Sequence, residues 1–200
     1  MDEVLAALEG FDPDISWKAA RREILPMLPR VRPFPGPDDQ TVRVILPPGI
    51  LVSFGIDLGP AVTFLGSAVV ERWRVDRDSI VEAALRNLRA RARECEPDLV
   101  IRDHIAETPV MVLQSRLGIA ASLLLVPEHL DRLLGREPHL LLAPMRDLLI
   151  ALPANVDRDF AAWLAAEWEA LDPNHLHLGG FVHEAGSVMP EPLEGVLAQA

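Results

Sequence analysis

Residues 140–153 read LLLAPMRDLLIALP, in which two apolar runs are separated by the four residues PMRD. Pro144 and Asp147 are residue types that tight turns favour, because proline fixes its own φ and aspartate can hydrogen-bond to the turn backbone. Short apolar runs on both sides of such a turn are typical of a β-hairpin. The segment therefore predicts a hairpin, with Arg146 and Asp147 at its tip or at the start of its second strand.

Strands and helices are predicted on both sides of this hairpin. Apolar patterns predict strands at residues 41–46, 50–56, 99–102, 110–114 and 119–126, and a last strand pair near 176–183 that turns at Gly179-Gly180. Helical periods and capping residues predict helices at residues 2–9, 16–28, 67–72, 78–92, 127–135 and 158–171. This order predicts an α+β fold, with a mixed or antiparallel sheet and helices packed on it.

A proline-rich segment, residues 29–39, divides the chain near its start. It contains four prolines and the sequence PGPDD, which is typical of a linker. We therefore predict an N-terminal helical arm at residues 1–30, a single α+β domain at 41–185 and a C-terminal tail at 186–200. A chain of 200 residues is long enough to fold around one core without disulfides.

Charge and composition narrow the functional classes. The net charge of -11 opposes general binding to nucleic acid, which gains free energy when Lys and Arg release counterions from phosphates. Cys95 is the only cysteine, so it cannot form an intramolecular disulfide, and a reducing compartment is expected. The acidic start Met1-Asp2-Glu3 lacks the positive charge of an export signal, and the apolar tracts are too short to span a membrane. We expect a cytoplasmic protein that binds neither membranes nor nucleic acid.

Three short segments suggest a family. They are ALRNLR at residues 84–89, SLLL at 122–125 and PMRD at 144–147, ahead of an apolar strand. Their order and spacing resemble the YtpQ-like family of uncharacterised bacterial proteins, over roughly residues 16–185. The best marker of that family is a Pro-Ser-Arg-Asp turn, and Met145 stands here in place of the serine. The resemblance implies the α+β fold and singles out Arg146-Asp147, but it implies no activity.

The order of elements suggests a second likeness. From Asp78 to Leu171 the predicted order is α-β-β-β-α-β-β-α, which resembles the small acidic chaperones of secretion systems. Those proteins bind extended client segments on a sheet and helix surface. A shared order of elements is an analogy of fold, so it raises a hypothesis about function without establishing one.

Arg146 and Asp147 are the first candidates for a binding site. An arginine held on a rigid hairpin can present its planar fork to a carboxylate, a phosphate or a partner chain, although a turn with a local ion pair is also consistent with the sequence. Glu167 is predicted on the apolar side of the last helix, where desolvation raises the pKa of a carboxyl group unless a cation reaches it. Arg146 and Arg116 are the cations that can do so, which adds Arg116 and Glu167 to the candidates.

A metal site is the alternative hypothesis. His175 and His177 alternate along a predicted strand and so face the same way. If Gly179-Gly180 is a two-residue turn, Glu184 pairs with His175, and the three side chains resemble a two-histidine, one-carboxylate site. Surface histidine pairs without a metal are also consistent with this pattern.

The stretch from Arg72 to Arg93 contains seven arginines in an otherwise acidic chain. Arg86, Arg89 and Arg93 lie opposite the apolar face of the predicted helix, and Glu82 precedes Arg86 by four residues, which is the favourable orientation for a pair. We interpret this stretch as a solvated, internally paired helix face. The alternative is a nucleic-acid interface with a steep salt dependence.

The sequence lacks the common phosphate-binding, metalloprotease and nucleophile-elbow motifs. Our leading hypothesis is therefore a non-catalytic module that recognises another polypeptide or peptide, and we predict no cofactor. A small metal-dependent enzyme that uses His175, His177 and Glu184 is the alternative. The oligomeric state is not predicted.

Overall fold

The computed structural model describes residues 5–6, 9–28, 41–58, 62–97, 100–115, 118–172, 175–176 and 178–193. The helices are α1 (Trp17–Ala20), α2 (Ser67–Trp73), α3 (Arg77–Glu94), α4 (Leu130–Leu134) and α5 (Arg158–Glu169), and two 3₁₀ helices cover Ala121–Leu125 and Pro127–His129. The strands are β1 (Ile24–Met27), β2 (Arg43–Leu46), β3 (Ile50–Asp57), β4 (Val62–Phe64), β5 (Val100–Ile105), β6 (Thr108–Gln114), β7 (His139–Met145), β8 (Leu148–Pro153), β9 (Gly180–Glu184) and β10 (Ser187–Glu191). Within these ranges, none of the helices combines the length and apolar character needed to cross a lipid bilayer.

The prediction of an α+β fold is confirmed, with two antiparallel sheets. The larger sheet has the strand order β10-β9-β7-β8-β6-β5, so the hairpins β5–β6, β7–β8 and β9–β10 lie side by side. In the smaller sheet β3 is central. It pairs with β1 along one edge and with β2 and then β4 along the other.

The predicted hairpin at residues 140–153 forms the centre of the larger sheet. Leu140 and Leu142 of β7 pack with α5 on one face, whereas Leu141 and Ala143 belong to the larger core on the opposite face. A strand that is covered on both faces has a continuous apolar sequence without alternation. Each fully buried leucine contributes roughly 2 kcal/mol to the stability of the fold.

Helix α3 packs in the larger core, which covers part of the face of this sheet that lies opposite α5. The carboxylate of Asp76 caps the helix by accepting a hydrogen bond from the Ser79 amide at 2.7 Å. Four buried side chains recur every four residues along one side of the helix and join the larger core: Ile80, Ala84, Leu88 and Ala92. This periodic face was predicted from the sequence and is confirmed.

The prediction of a helix is wrong for the second half of the N-terminal arm. The helix from Trp17 ends at Ala20, and Ile24–Met27 is strand β1, which pairs with β3. All four residues of β1 are buried, so this segment belongs to the main core. Pro26 is tolerated because β1 is an edge strand, where a missing N–H costs no sheet hydrogen bond. The predicted helix at residues 2–9 and the predicted linker fall wholly or partly outside the described residues.

The predicted strand at residues 119–126 is also wrong. Ala121–Leu125 forms a 3₁₀ helix in which every residue is buried. A short apolar run does not distinguish a buried strand from a buried helix, because neither shows alternation. The Ser122 hydroxyl donates a hydrogen bond to the Pro26 carbonyl at 3.3 Å, so this turn is attached to β1. One strand of the chaperone-like order is therefore replaced by a helical turn.

The last hairpin turns later than predicted. Its turn is Ala185-Gly186, and the strands that it joins are β9 and β10, so five residues of the predicted tail form a strand. Gly180 is the first residue of β9, where an added Cβ would approach the Glu191 carbonyl to 3.1 Å and Leu140 to 3.2 Å. Gly180 therefore marks a close approach at the start of a strand, whereas Gly179 before it has a positive φ of 77°.

The turn between β5 and β6 offers a test of the fold. Ala106 and Glu107 both have positive φ, 48° and 66°, as a two-residue type I′ turn requires. Asn-Gly suits this turn best, so the double change Ala106→Asn, Glu107→Gly is expected to raise the free energy of unfolding by about 1 kcal/mol. Urea denaturation measures this change. Glu107→Ala, which keeps a side chain in the left-handed region, is the control and is expected to give no gain.

Candidate functional site

Arg146 points into the fold at the tip of the β7–β8 hairpin. Its guanidinium carbon lies 5.6 Å from the ring centre of Phe64 in β4, which is cation–π distance. The carbonyls of Arg146 and Asp147 accept hydrogen bonds from the amides of Ala121 at 3.1 Å and Ser115 at 2.9 Å. The hairpin tip therefore connects the two sheets and the buried 3₁₀ turn, which favours the structural interpretation of this pair.

The other two binding candidates do not join this tip into a site. Glu167 is exposed on α5, so the expectation of a partly desolvated carboxylate on the apolar side is wrong. The apolar side of α5 is formed by Ala161, Leu164 and Ala165. Arg116 lies outside the described residues.

The hairpin register that the metal hypothesis required is wrong. Glu184 pairs with Ser187 across the Ala185-Gly186 turn, and His175 precedes β9 with its Nδ1 3.0 Å from the Asp172 carbonyl. His177 lies outside the described residues. Elsewhere in the described ranges, no three His, Cys, Asp or Glu side chains come together in a way that suits a metal ion.

The basic stretch is paired with acids from other elements. Arg72 contacts Asp14 at 2.6 Å and Arg89 contacts Glu128 at 2.8 Å. Arg91 forms an ion pair with the largely buried Asp57. Three arginines of the stretch therefore pair with acids of other elements, whereas Arg86 donates to the Arg21 carbonyl and the predicted pair with Glu82 is not found among the described residues.

A groove lies on the larger sheet among the described residues, with a volume of about 660 Å³. The groove lies on the face of the sheet that packs against the larger core. It is at the end of that face that the core leaves uncovered. Cross-strand partners share a face, so the register identifies the side chains of its floor. We call it the sheet groove. Its floor consists of Pro109 and Met111 of β6, Ala151 and Pro153 of β8, and His139 of β7, and Arg102 and His104 of β5 lie on the same face at its rim.

The sheet groove is mostly apolar, and its charged groups lie at the rim. Arg102, Asp103 and His104 are exposed on the edge strand β5, and Glu137 is exposed at the other end. Met111 and the two prolines provide the apolar middle. A concave apolar surface with a few polar groups is the usual form of a binding site, and the volume falls in the usual range for such sites.

His139 leads from the sheet groove to a second, buried histidine. Its ring stacks on that of His183, its cross-strand partner in β9, with the ring centres 6.2 Å apart. His183 is fully buried, and its Nε2 lies 2.9 Å from Oδ1 of Asp131 in α4. The Asp131 carboxylate therefore lies beside a buried imidazole. The same oxygen accepts a hydrogen bond from the Gly186 amide at 3.1 Å.

Both histidines favour the neutral form. Burial lowers the pKa of His183 below its ordinary value, and the Asp131 carboxylate raises it back only in part. Burial also lowers the pKa of His139, and the nearby His183 lowers it further, whereas Glu137 opposes the shift.

Sequence reasoning missed His139 and left His183 out of the predicted site. His139 directly precedes the apolar run of β7, and nothing in its neighbourhood marks it as special. His139 and His183 meet only because β7 pairs with β9, and Asp131 reaches them from a helix. A pairing between strands that are far apart in sequence has no local signal.

Comparison of the chain with known protein families, with curated proteins and with solved structures finds no match. The functional argument therefore depends on the geometry of the described residues.

Asp131 is predicted to stabilise the fold by holding the β9–β10 hairpin on α4. Asp131→Ala removes the partner of the Gly186 amide and of the buried His183, so we expect a loss of about 2 kcal/mol in the free energy of unfolding. Asp131→Asn keeps an acceptor for the amide and is expected to lose less. Glu184→Ala, at an exposed neighbouring position, is the control. Equal stabilities of Asp131→Ala and Glu184→Ala in urea denaturation would contradict this role.

Stability is predicted to fall in mild acid because of the two buried histidines. Their pKa values are lower in the folded chain than in the unfolded chain, so the unfolded state binds more protons as the pH drops. The free energy of unfolding should therefore decrease below pH of about 6.5, the ordinary pKa of histidine. Denaturation at several pH values measures this. His139→Gln is expected to flatten the decrease, whereas the exposed His104→Gln should leave it unchanged, and identical curves for both would refute the assignment.

Proposed function

We propose that this chain is a non-catalytic module that binds an extended segment of another polypeptide in the sheet groove. The observation that carries the proposal is the position of the groove: it begins at the edge strand β5 and runs across β6 and β8 to His139 in β7. An extended chain can pair its backbone with the edge strand and place its side chains in the adjoining apolar groove.

The edge strand supports the proposal through its backbone. Among the described residues, β5 pairs only with β6, so its outer side presents N–H and C=O groups to a second chain. Addition of a strand to a sheet edge is a common mode of peptide recognition, in which the backbone gives affinity and side-chain pockets give specificity. Ile101 is 58% exposed on this strand, which adds apolar contact area outside the groove.

The groove supports the proposal through its side chains. Its floor is uncharged near Met111, Ala151 and Pro153, and its rim carries charges of both signs. Interfaces between proteins commonly combine an apolar centre with a polar rim. Because the chain carries a net charge of -11, a partner segment with flanking basic residues would associate faster.

The other sequence-based hypotheses have less support. The metal-dependent enzyme relied on a hairpin register that differs from the observed one, and three arginines of the basic stretch already pair with acids. Membership of the YtpQ-like family and the likeness to secretion chaperones remain proposals from the sequence. A cytosolic location belongs to the same proposal, and it is consistent with Cys95, which is buried as a free thiol.

Selection of displayed peptides on the purified chain tests the proposed function. We expect selected peptides to bind saturably, and Met111→Glu to weaken their binding by at least about tenfold, because a carboxylate in the apolar floor must be desolvated. Met189→Glu is the matched control, since Met189 is 57% exposed on β10 of the same sheet and outside the groove. Melting curves check that both variants fold. No selected peptide, or equal binding to both variants, would overturn the proposal.

A further inference from the structure

The two edges of the larger sheet differ in how well they can accept a further strand. Pro190 lies between hydrogen-bonded pairs of the β9–β10 hairpin, so its missing N–H faces outwards and disfavours pairing at that edge. Strand β5, at the other edge, contains no proline. Ile105 and Thr108 close its two-residue turn as a hydrogen-bonded pair, so the N–H and C=O groups of Arg102 and His104 point away from β6. A strand added to β5 would bond to these two residues.

Two charged side chains cover this outer edge of β5. Asp103 Oδ1 accepts a hydrogen bond from the His104 amide at 2.8 Å, and Nη1 of Arg102 donates to the Val100 carbonyl at 3.4 Å. An incoming strand must displace both contacts in order to pair. A strand that brings a cation to Asp103 and an anion to Arg102 replaces them with charge-assisted contacts, so it binds more tightly than a neutral strand.

The register places the two charges on opposite faces of the sheet. Asp103 pairs with Val110, which packs with α5, whereas Arg102 pairs with Met111 in the floor of the sheet groove. Paired residues of antiparallel strands share a face and contact each other directly. The best partner of Asp103 is therefore a basic residue directly opposite it, and the best partner of Arg102 is an acidic residue one position further along the added strand.

We propose that β5 accepts an extended segment of another polypeptide in which a basic residue is followed directly by an acidic one. The basic residue faces Asp103, and the acidic residue faces Arg102. The segment runs antiparallel to β5, as all neighbouring strands of this sheet do. An apolar residue after the acidic one would contact Ile101, which is 58% exposed. The inference rests on the proposed function, because it specifies the part of the same partner that lies against the edge strand.

A second copy of β5 does not meet this requirement. Two copies that pair antiparallel at their outer edges join like face to like face, because the twofold axis between them is perpendicular to the sheet. The β5 face with Asp103 otherwise carries only isoleucines, and the face with Arg102 carries Val100 and His104. Neither face supplies the opposite charge, so the charges of β5 favour a different polypeptide over self-association.

Two capped peptides of the same composition and net charge test the charge order. In TVTKEVT the lysine faces Asp103 and the glutamate faces Arg102 when the valines lie opposite Ile101 and Ile105, and in TVTEKVT the two charges are exchanged. Titrations are followed by NMR of the backbone amides. We expect saturable shifts that are largest at Arg102 and His104, and about fivefold tighter binding of TVTKEVT, the combined effect of two cross-strand ion pairs. Equal affinity, or no binding of either peptide, would overturn the inference.

Exchange of the two charges on the chain is expected to reverse the preference. The double change Arg102→Asp, Asp103→Arg keeps the composition and net charge of the chain, and it should bind TVTEKVT more tightly than TVTKEVT. The matched control is Arg77→Asp, Asp78→Arg, which exchanges an exposed Arg-Asp pair at the start of α3 and should keep the original preference. The same preference in both variants would overturn the inference.

Melting curves check that both variants fold. If the exchange on β5 does not fold, Arg102→Gln takes its place. That change removes one of the two ion pairs and is expected to lower the preference for TVTKEVT to about twofold. An unchanged fivefold preference would then overturn the inference.

The outcome is separate from that of the peptide selection. Selected peptides that bind through Met111 without this charge order refute only the charge order. A charge-dependent shift of the β5 amides, together with selected peptides that ignore Met111→Glu, refutes only the groove. Sedimentation of the chain alone tests the remaining occupant: a dimer that Arg102→Asp, Asp103→Arg abolishes would identify a second copy on β5 and overturn the inference, and a monomer supports it.

Discussion

Burial of the β7–β8 hairpin on both faces is the constraint on which the rest of this structure depends. Leu140, Leu142 and Ile150 require a cover on one side, which α5 provides, and Leu141 and Leu149 require a cover on the other. Two strands at the centre of a sheet cannot leave either apolar face in water at acceptable cost. The larger core meets the second requirement by joining α3, the buried 3₁₀ turn and the smaller sheet to this hairpin.

The second cover stops before the end of the sheet, and that gap creates the sheet groove. The strands continue past the covered region towards the β5–β6 turn, where Arg102 and His104 are exposed. His139 lies at the boundary between the buried and the open part of the face. Its neighbour His183 is held by Asp131, which also ties the last hairpin to α4. His139, which lines the inner end of the groove, therefore stacks on the histidine that Asp131 contacts.

Local signals allowed the sequence to predict much of the fold but little of the site. The apolar period of α3, the start of α5 and the turn before Leu148 were predicted correctly because each depends on residues that are close together in the sequence. The strand β1 and the 3₁₀ turn at Ala121–Leu125 were missed because total burial removes the alternation that distinguishes strands from helices. The site was missed for a different reason. His139 and His183 meet only through pairing between distant strands, and the predicted Gly179-Gly180 turn gave the wrong register for the last hairpin.

Amide hydrogen exchange measures the central claim most directly, because it reports how each strand opens in the native state. If the β7–β8 hairpin is the doubly covered centre, its amides exchange only through global unfolding, and those of β5 exchange through smaller local openings that leave the centre intact. As the denaturant concentration is lowered, the exchange rates of the β7–β8 amides and those of the β5 amides are then expected to diverge. Exchange of Leu141 and Ile150 amides through local openings, or protection of β5 equal to that of the central hairpin, would contradict the account.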